Sequence, residues 1–509
     1  MSSQTYLIDT NVIIGLEDNQ AVEPAFSSLL SVAAKHKVDV VVHEVAKDDL
    51  LRDRDQIRRN ISLSKVAKFQ ILGKVRGLAT TDLESEFGPL PRANDIVDAT
   101  LLDALHRGAA DFLVTQDRGL HLRARRHSAE LGRRVLFVAD AVQLLKTTYE
   151  PIAPPVRYIE EVSANEIPLK DPIFNSLRQG YPEFDTWWKT KCVHERRTCW
   201  IIDDNGLAGI VVRKDETETD TDATTKARKI LKICTFKVSP EKRGVKLGEL
   251  LFKKIFWFAQ ANSYDLVYVT TYEDQESLID LLEYYGFTRT AIKADGELIY
   301  EKLFSTDKLK RQPDQSDFET NRLHYPRFIT EPNTRAFGVP ILEAYHDTLY
   351  SELYQGTLDL FDSLGFGGPR QPGNTIRKVY LCRAQSNLGP AGSLLFFYKS
   401  KSDSPPSQAM TAVGVFEEWQ SAESTKELML MTGGRSVYSE TELAAWKATP
   451  EKPVKVINYL LTNYIEPPVF FTDLQSLGIF RTHPPQSIFE IRQPNLLKLL
   501  QRLNLDFNT

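Results

Sequence analysis

Cysteine is scarce. Four residues in 509 cannot build a disulfide framework, and the chain is expected in a reducing compartment. No apolar run approaches the roughly 20 residues that a membrane span needs, and the first residues lack the basic, apolar, small-residue order of a secretory signal. The expected location is therefore the cytoplasm, with no membrane partner. No repeat of fixed period is present, so a solenoid is not expected. Strong charge imbalance is missing too: a net charge of -5 with 42% hydrophobic and 26% charged residues describes an ordinary globular protein. At about 150 residues per domain, the length suggests three units.

The few cysteines and the local charge runs need their own reading. Cys192, His194 and Cys199 stand together in "KCVHERRTC", but no second ligand pair follows at zinc spacing, so buried thiols are expected. Residues 118 to 134 hold Arg118, Arg123, Arg125, Arg126, Arg133 and Arg134 against the single acid Glu130. Such a run can meet phosphates or be a solvated helix face.

Three prolines in "EPIAPPVRY" (150 to 158) end a first unit at residue 148. A second unit covers 149 to 305, a polar linker 306 to 325, and a third unit 326 to 509. The threonine-rich stretch 215 to 229 is expected to be an exposed hairpin loop.

The first unit alternates short apolar strands with helical patterns, which implies a parallel sheet flanked by helices and a site beyond the carboxyl ends of the strands. In "LIDTNVII" (7 to 14) an apolar run is broken by Asp9 and Asn11. Glu44 follows "VDVVVH", Asp117 follows "DFLVTQ", and Asp98 stands one helical turn after Asp95. Four carboxylates brought to one cleft repel, and a divalent cation relieves that repulsion. Mg²⁺ or Mn²⁺ takes hard oxygen ligands and activates water for attack on a phosphodiester. Asn11 and Thr115 would orient the carboxylates. Taken singly, each acid is as well explained by a turn or a helix cap.

With "NDIVDATLLDAL" and "FLVTQDRGL" in order, these residues resemble the PIN domain, a metal-dependent ribonuclease fold. The resemblance implies Asp9, Glu44, Asp98 and Asp117 as catalytic metal ligands, supported by Asn11, Asp95 and Thr115. It also implies RNA as partner, with an inhibitory antitoxin-like protein and a homodimer as further expectations.

In the second unit, "WIIDDNGLAGIVVRK" (200 to 214) reads as a hairpin. The strand "ILKICTFKV" then leads through a basic, glycine-containing turn into a helix with Leu247, Leu250, Leu251, Ile255 and Phe258 on one face. Free N–H groups at such a helix start attract a pyrophosphate. With "DLVYVTTY" and "QESLIDLLEYYGF" the order resembles the GNAT acetyltransferase fold, implying acetyl-CoA or CoA bound by Val238, Arg243, Gly244, Val245, Lys246, Leu247 and Gly248. Two positions depart from that family: Lys246 stands where its first motif glycine belongs, and Leu282 where many members have a tyrosine. Tyr284 and Tyr285 lie near but point elsewhere, and Glu273 could act as a base through water.

The third unit is strand-rich with short helices, a pattern that fits a closed or half-closed small β-barrel. Through "GSLLFFYKS", "AVGVFEEW" and "GGRSVYS" it resembles PUA-like and ASCH modules. An RNA surface would suit Tyr398, Lys399, Lys401, Arg435 and Tyr438, although the aromatics fit a barrel core equally well. His324 and His346 are assigned no role.

The combined expectation is an α/β multidomain ribonuclease coupled to an acetyltransferase or acyl-CoA-sensing unit. The alternatives are a protein or aminoacyl-tRNA N-acetyltransferase with the first unit as scaffold, and a non-catalytic RNA-binding regulator.

Overall fold

The computed structural model describes residues 4–15, 24–52, 56–72, 78–149, 159–204, 206–239, 247–354, 376–432 and 440–509. Arg243, Gly244, Val245, Lys246, Arg435 and Tyr438 lie outside them. The chain forms two compact units. The first joins residues up to 149 with 422–454; the second takes 159–239, 247–421 and 455–509.

The first unit is built on β1 (Thr5–Ile8), β2 (Asp39–Val42), β3 (Gln70–Ile71), β4 (Phe112–Val114) and β5 (Val135–Leu136), in the order β3-β2-β1-β4-β5. Each neighbouring pair is parallel. Side chains alternate between two apolar layers, which is why β1 reads as a continuous hydrophobic run. Tyr6 and Ile8 join the layer holding Phe112 and Val114, while Leu7 joins Val41 and Leu113 on the other face. Burying each of these aliphatic side chains is worth about 1.5–3 kcal/mol.

Nine helices flank these strands among the described residues: α1 (Thr10–Gly15), α2 (Pro24–Lys35), α3 (Val45–Leu51), α4 (Gln56–Val66), α5 (Thr80–Phe87), α6 (Ala93–His106), α7 (Arg118–His127), α8 (Ala129–Arg134) and α9 (Val138–Tyr149). Helix α1 follows β1 directly, starting where the Val12 and Ile13 amides donate to the Asp9 carbonyl.

The segment 422–454 brings two more helices, Thr425–Thr432 and Glu440–Ala445, to this first unit. Leu430 packs on the layer around Tyr6, the Gln4 amide donates to Met429 Sδ at 3.5 Å, and Lys426 pairs with Asp111 at 2.9 Å. These helices stood with the third unit in the sequence reading. Their apolar faces are covered by the first unit instead.

The second unit carries two sheets. One runs β11-β12-β10-β9-β8-β7-β6, formed by β6 (Glu160–Ser163), β7 (Thr198–Asp203), β8 (Leu207–Glu216), β9 (Ile230–Val238), β10 (Leu266–Thr271), β11 (Thr288–Ile292) and β12 (Leu298–Leu303). Among the described residues only β9 and β10 pair in parallel in this sheet. The other sheet holds β13 (Ala336–Ile341), β14 (Arg377–Cys382), β15 (Leu394–Lys399), β16 (Ala409–Ala422), β17 (Val454–Phe470) and β18 (Phe489–Glu490) in the order β14-β17-β16-β15-β13-β18. That order is linear, so among the described residues no ladder closes it, and of the closed or half-closed barrel expected from sequence the closed form is set aside.

Helix α10 (Leu247–Ala261) ties the two sheets of this unit together. Trp257 Nε1 donates to Tyr325 Oη at 2.8 Å, Gln260 Nε2 to the Asp506 carbonyl at 2.9 Å, and Lys253 pairs with Glu352 at 2.6 Å. Residues 306–325, expected as a linker, are packed into the same unit: Leu309, Thr320, Asn321 and Tyr325 are buried. The stretch 215–229 is largely exposed, yet the Thr224 and Thr225 amides and hydroxyls donate to Glu301, so it is tethered to β12.

Candidate functional site

The order of the first sheet reverses between β1 and β4, and ligand sites of open parallel sheets lie at the carboxyl edge of such a switch point. Asp9 leaves β1 there, its amide donating to the Val114 carbonyl of β4 at 3.0 Å. Its carboxylate is 5% exposed and held at both oxygens. Oδ2 accepts from Thr115 Oγ1 at 2.7 Å and Asn11 Nδ2 at 2.8 Å, and Oδ1 accepts from the Thr10 amide at 2.6 Å. Thr115 Oγ1 in turn accepts from the Asp117 amide at 3.0 Å, and Asn11 Oδ1 accepts from the Gln116 amide at 3.2 Å. Burial raises the Asp9 carboxyl above its ordinary pKa, opposed by the hydrogen bonds from Thr115 and Thr10.

Asp117 caps α7, its Oδ1 accepting from the Leu120 amide at 3.0 Å. Asp98, half-buried on α6, is pushed up to about 7 by burial, then by the charges of Asp117 and Asp9. Asp95 is a different kind of acid. It accepts from the Arg92 amide and side chain and from Arg123, and the Arg92 hydrogen bonds hold its pKa below the usual range. It fixes the start of α6, which sets where Asp98 stands.

Asp9, Asn11, Thr115 and Asp117 thus form one hydrogen-bonded group, with Asp98 coupled to it through charge. Glu44 is set apart: exposed at the start of α3, it makes no cap bond. Among the described residues these four acids do not bring three ligand oxygens within 4.8 Å of one another. The tight cluster expected from sequence is therefore opened out, because Asp9 and Asp117 are turned toward hydrogen-bond donors. Sequence reading missed Asp49 of α3, whose Oδ2 accepts from Thr10 Oγ1 at 2.7 Å and whose charge acts on Asp9. It also missed His121, 3% exposed, whose Nε2 lies 3.1 Å from the Thr115 carbonyl. An acid in the helix after Glu44 was the available signal for Asp49; nothing in the sequence marked His121.

The basic run divides. Arg123 Nη1 donates to the Phe87, Gly88 and Pro89 carbonyls and Arg134 to those of Ala110 and Asp111, so both hold backbone in place. Of the arginines expected to meet phosphates or solvent, Arg123 is thus engaged with backbone carbonyls. Arg125 and Arg126 are exposed.

In the second unit, β9 pairs with β10 only from Ile230 to Ile233, so among the described residues Cys234–Val238 has β8 on one side and no strand on the other. The notch where β9 and β10 part is apolar. Ile233, Phe236, Phe252, Ile255, Val269, Leu278, Leu282 and Phe287 line it, the last three around α11 (Glu276–Tyr284). Phe236 also lies 4.7 Å, ring to ring, from Phe252 and close to Gly248. Leu247 is buried and Val238 half-buried. No ionisable side chain lines the notch. Tyr285 is fully buried with Glu249 as partner, Tyr284 is stacked on Arg322 and Arg377, and Glu273 is exposed after β10.

The surface proposed for Tyr398 and Lys399 is not a surface. Both are 0% exposed, with Lys399 held by Ser404 and Asp347. Lys401 is exposed. The Tyr398 hydroxyl is buried without a hydrogen-bond partner, and burial raises it to about 12. Tyr398→Phe is therefore expected to leave RNA affinity unchanged and to raise stability by up to about 1 kcal/mol, read by urea unfolding. His346 is likewise buried, bridging Thr411 and Asp347. Cys192 and Cys199 sit in an apolar core where burial raises both thiols.

Among the described residues no helix is long and apolar enough to cross a membrane. No family model matches the chain and no curated protein matches it. Solved structures do. The ASCH protein of Zymomonas mobilis is 14% identical over 33% of this chain and 96% of its own, at a TM-score of 0.24. An IAA acetyltransferase of Bacillus cereus is 14% identical over 29% of this chain and 100% of its own, at 0.24. The PaiA N-acetyltransferase of Thermoplasma acidophilum, in complex with coenzyme A, is 12% identical over 29% and 99%, at 0.24.

Proposed function

We propose that the first unit hydrolyses phosphodiester bonds of RNA with Mg²⁺ or Mn²⁺. One observation carries this reading: Asp9, Asp98 and Asp117 stand around the switch point, where burial and then the charges of Asp117 and Asp9 raise the Asp98 carboxyl to about 7. The donors fit a hard divalent ion, since all are oxygens and Asp98 accepts no hydrogen bond among the described residues. When bound, such an ion neutralises charge developing on the phosphoryl group and activates water. Asp9, Asp98 and Asp117 would hold it. Thr115 and Asn11 fix Asp9 Oδ2, and the start of α7 fixes Asp117. The resemblance of these motifs to PIN domains supports RNA as substrate. Cleavage of labelled single-stranded RNA is expected with Mn²⁺ or Mg²⁺ and none with EDTA; cleavage that survives EDTA would defeat the reading.

A second reading, an acyl-CoA-binding second unit, is favoured by the parting of β9 from β10 beyond Ile233, which opens the sheet beside Cys234–Val238 where a pantetheine arm could lie. With no ionisable group in the notch, binding without acetyl transfer is expected. Calorimetric titration of the full chain with acetyl-CoA checks it. No heat would remove the reading, and acetylation of an amine acceptor would replace it with catalysis.

A further inference from the structure

Away from the acid group, the first unit gathers Glu86, His106 and His127. Each stands at the carboxyl end of a helix: Glu86 next to last in α5, His106 last in α6, His127 last in α7. Free carbonyls at helix ends carry partial negative charge and favour a cation. One ligand atom from each of the three residues lies within 4.8 Å of the others. His127 Nε2 is 2.8 Å from Glu86 Oε1, and the two imidazoles meet edge to face at 4.8 Å. His127 is half-buried beside Phe87, and its Nδ1 is enclosed with no hydrogen-bond partner. Nε2 is therefore the nitrogen turned to the other two residues, and an ion would take the place of its contact with Glu86.

We propose that Glu86, His106 and His127 bind a borderline divalent metal, Zn²⁺ in the first instance, at a site separate from the acid group. Two imidazoles and one carboxylate are a zinc donor set and a poor one for Mg²⁺. Three protein ligands leave a fourth position open to water or to a side chain of another molecule. The ion clamps the carboxyl ends of α5, α6 and α7, of which α6 carries Asp98 and α7 is capped by Asp117.

The test uses the full chain, stripped with EDTA and titrated with Zn²⁺ alone by calorimetry, with Co²⁺ absorption as a readout of low coordination number. Because Glu86 and His106 are exposed, Glu86→Gln and His106→Gln leave packing intact, which circular dichroism verifies. One zinc per chain is expected, with affinity lowered at least tenfold in either variant and unchanged in Asp98→Asn. Zinc is also expected to raise the Tm of the native chain but not of His106→Gln. Absence of zinc binding, native affinity in Glu86→Gln or in His106→Gln, or loss confined to Asp98→Asn would each overturn the site. Asp98→Asn also separates this proposal from the nuclease reading, since either can fail alone.

Discussion

Asp98→Asn is expected to abolish metal-dependent RNA cleavage, lowering the rate by at least about a hundredfold, since it removes a ligand where even supporting residues contribute about 10- to 100-fold. The same variant is expected to be more stable than the native chain. Asp98 ordinarily titrates near 3.8 and is raised to about 7 by burial and by the Asp117 and Asp9 charges. A carboxyl whose folded pKa is raised binds more protons folded than unfolded, so its presence lowers stability as pH rises from about 4 to about 7. At pH 8 without metal, Asp98→Asn should therefore gain about 2 kcal/mol after allowance for the partial exposure of the group, and the gain should vanish near pH 4. Metal and proton compete for this carboxylate, so native activity should climb through pH 7. Cleavage at native rate by the variant, or a stability gain that persists at pH 4, would remove Asp98 from the assigned role.

Gly286→Ala is expected to cost about 3 kcal/mol or more in the second unit. Gly286 has φ +84°, and a Cβ there would lie 2.2 Å from the Leu323 carbonyl oxygen. That oxygen cannot retreat freely, because buried Lys302 donates to it at 2.7 Å and also to the Tyr285 carbonyl. The Lys302 ammonium is itself held well below its ordinary pKa by burial, then by Arg327 and Arg322, and it rests against the Phe256 and Phe304 rings. A substituent at Gly286 would thus strain both strand end and helix end. Tryptophan fluorescence during urea unfolding reads this unit selectively, since of the six tryptophans only Trp446 belongs to the first. An unchanged midpoint would mean that this contact relaxes without penalty.

The acid group was legible because its signal is local. A carboxylate directly after a fully apolar strand is unusual wherever it occurs, and Asp9, Thr115 and Asp117 each announced a strand's carboxyl end. The spacing of Asp95 and Asp98 was equally plain, but their opposite environments were not: hydrogen bonds from Arg92 hold the pKa of one down, while burial and then the charges of Asp117 and Asp9 raise the other. Glu44 shows the converse, a strand-end acid that the helix start leaves in solvent.

By itself the sequence determined the alternation of strand and helix in the first unit, the hairpin around 203 to 207, the full extent of β9 and the apolar face of α10, because periodicity is a property of neighbours along the chain. Tertiary structure alone decided which surfaces those faces meet. The helices at 425 to 445 carry the same apolar stripe whichever core covers it, and they complete the first unit. Tyr398 and Lys399 are as aromatic and as basic in a core as on a surface, and only the partners Ser404 and Asp347 put the lysine inside. Glu86, His106 and His127 lie twenty or more residues apart, so no local pattern joins them; the packing of three helix ends does.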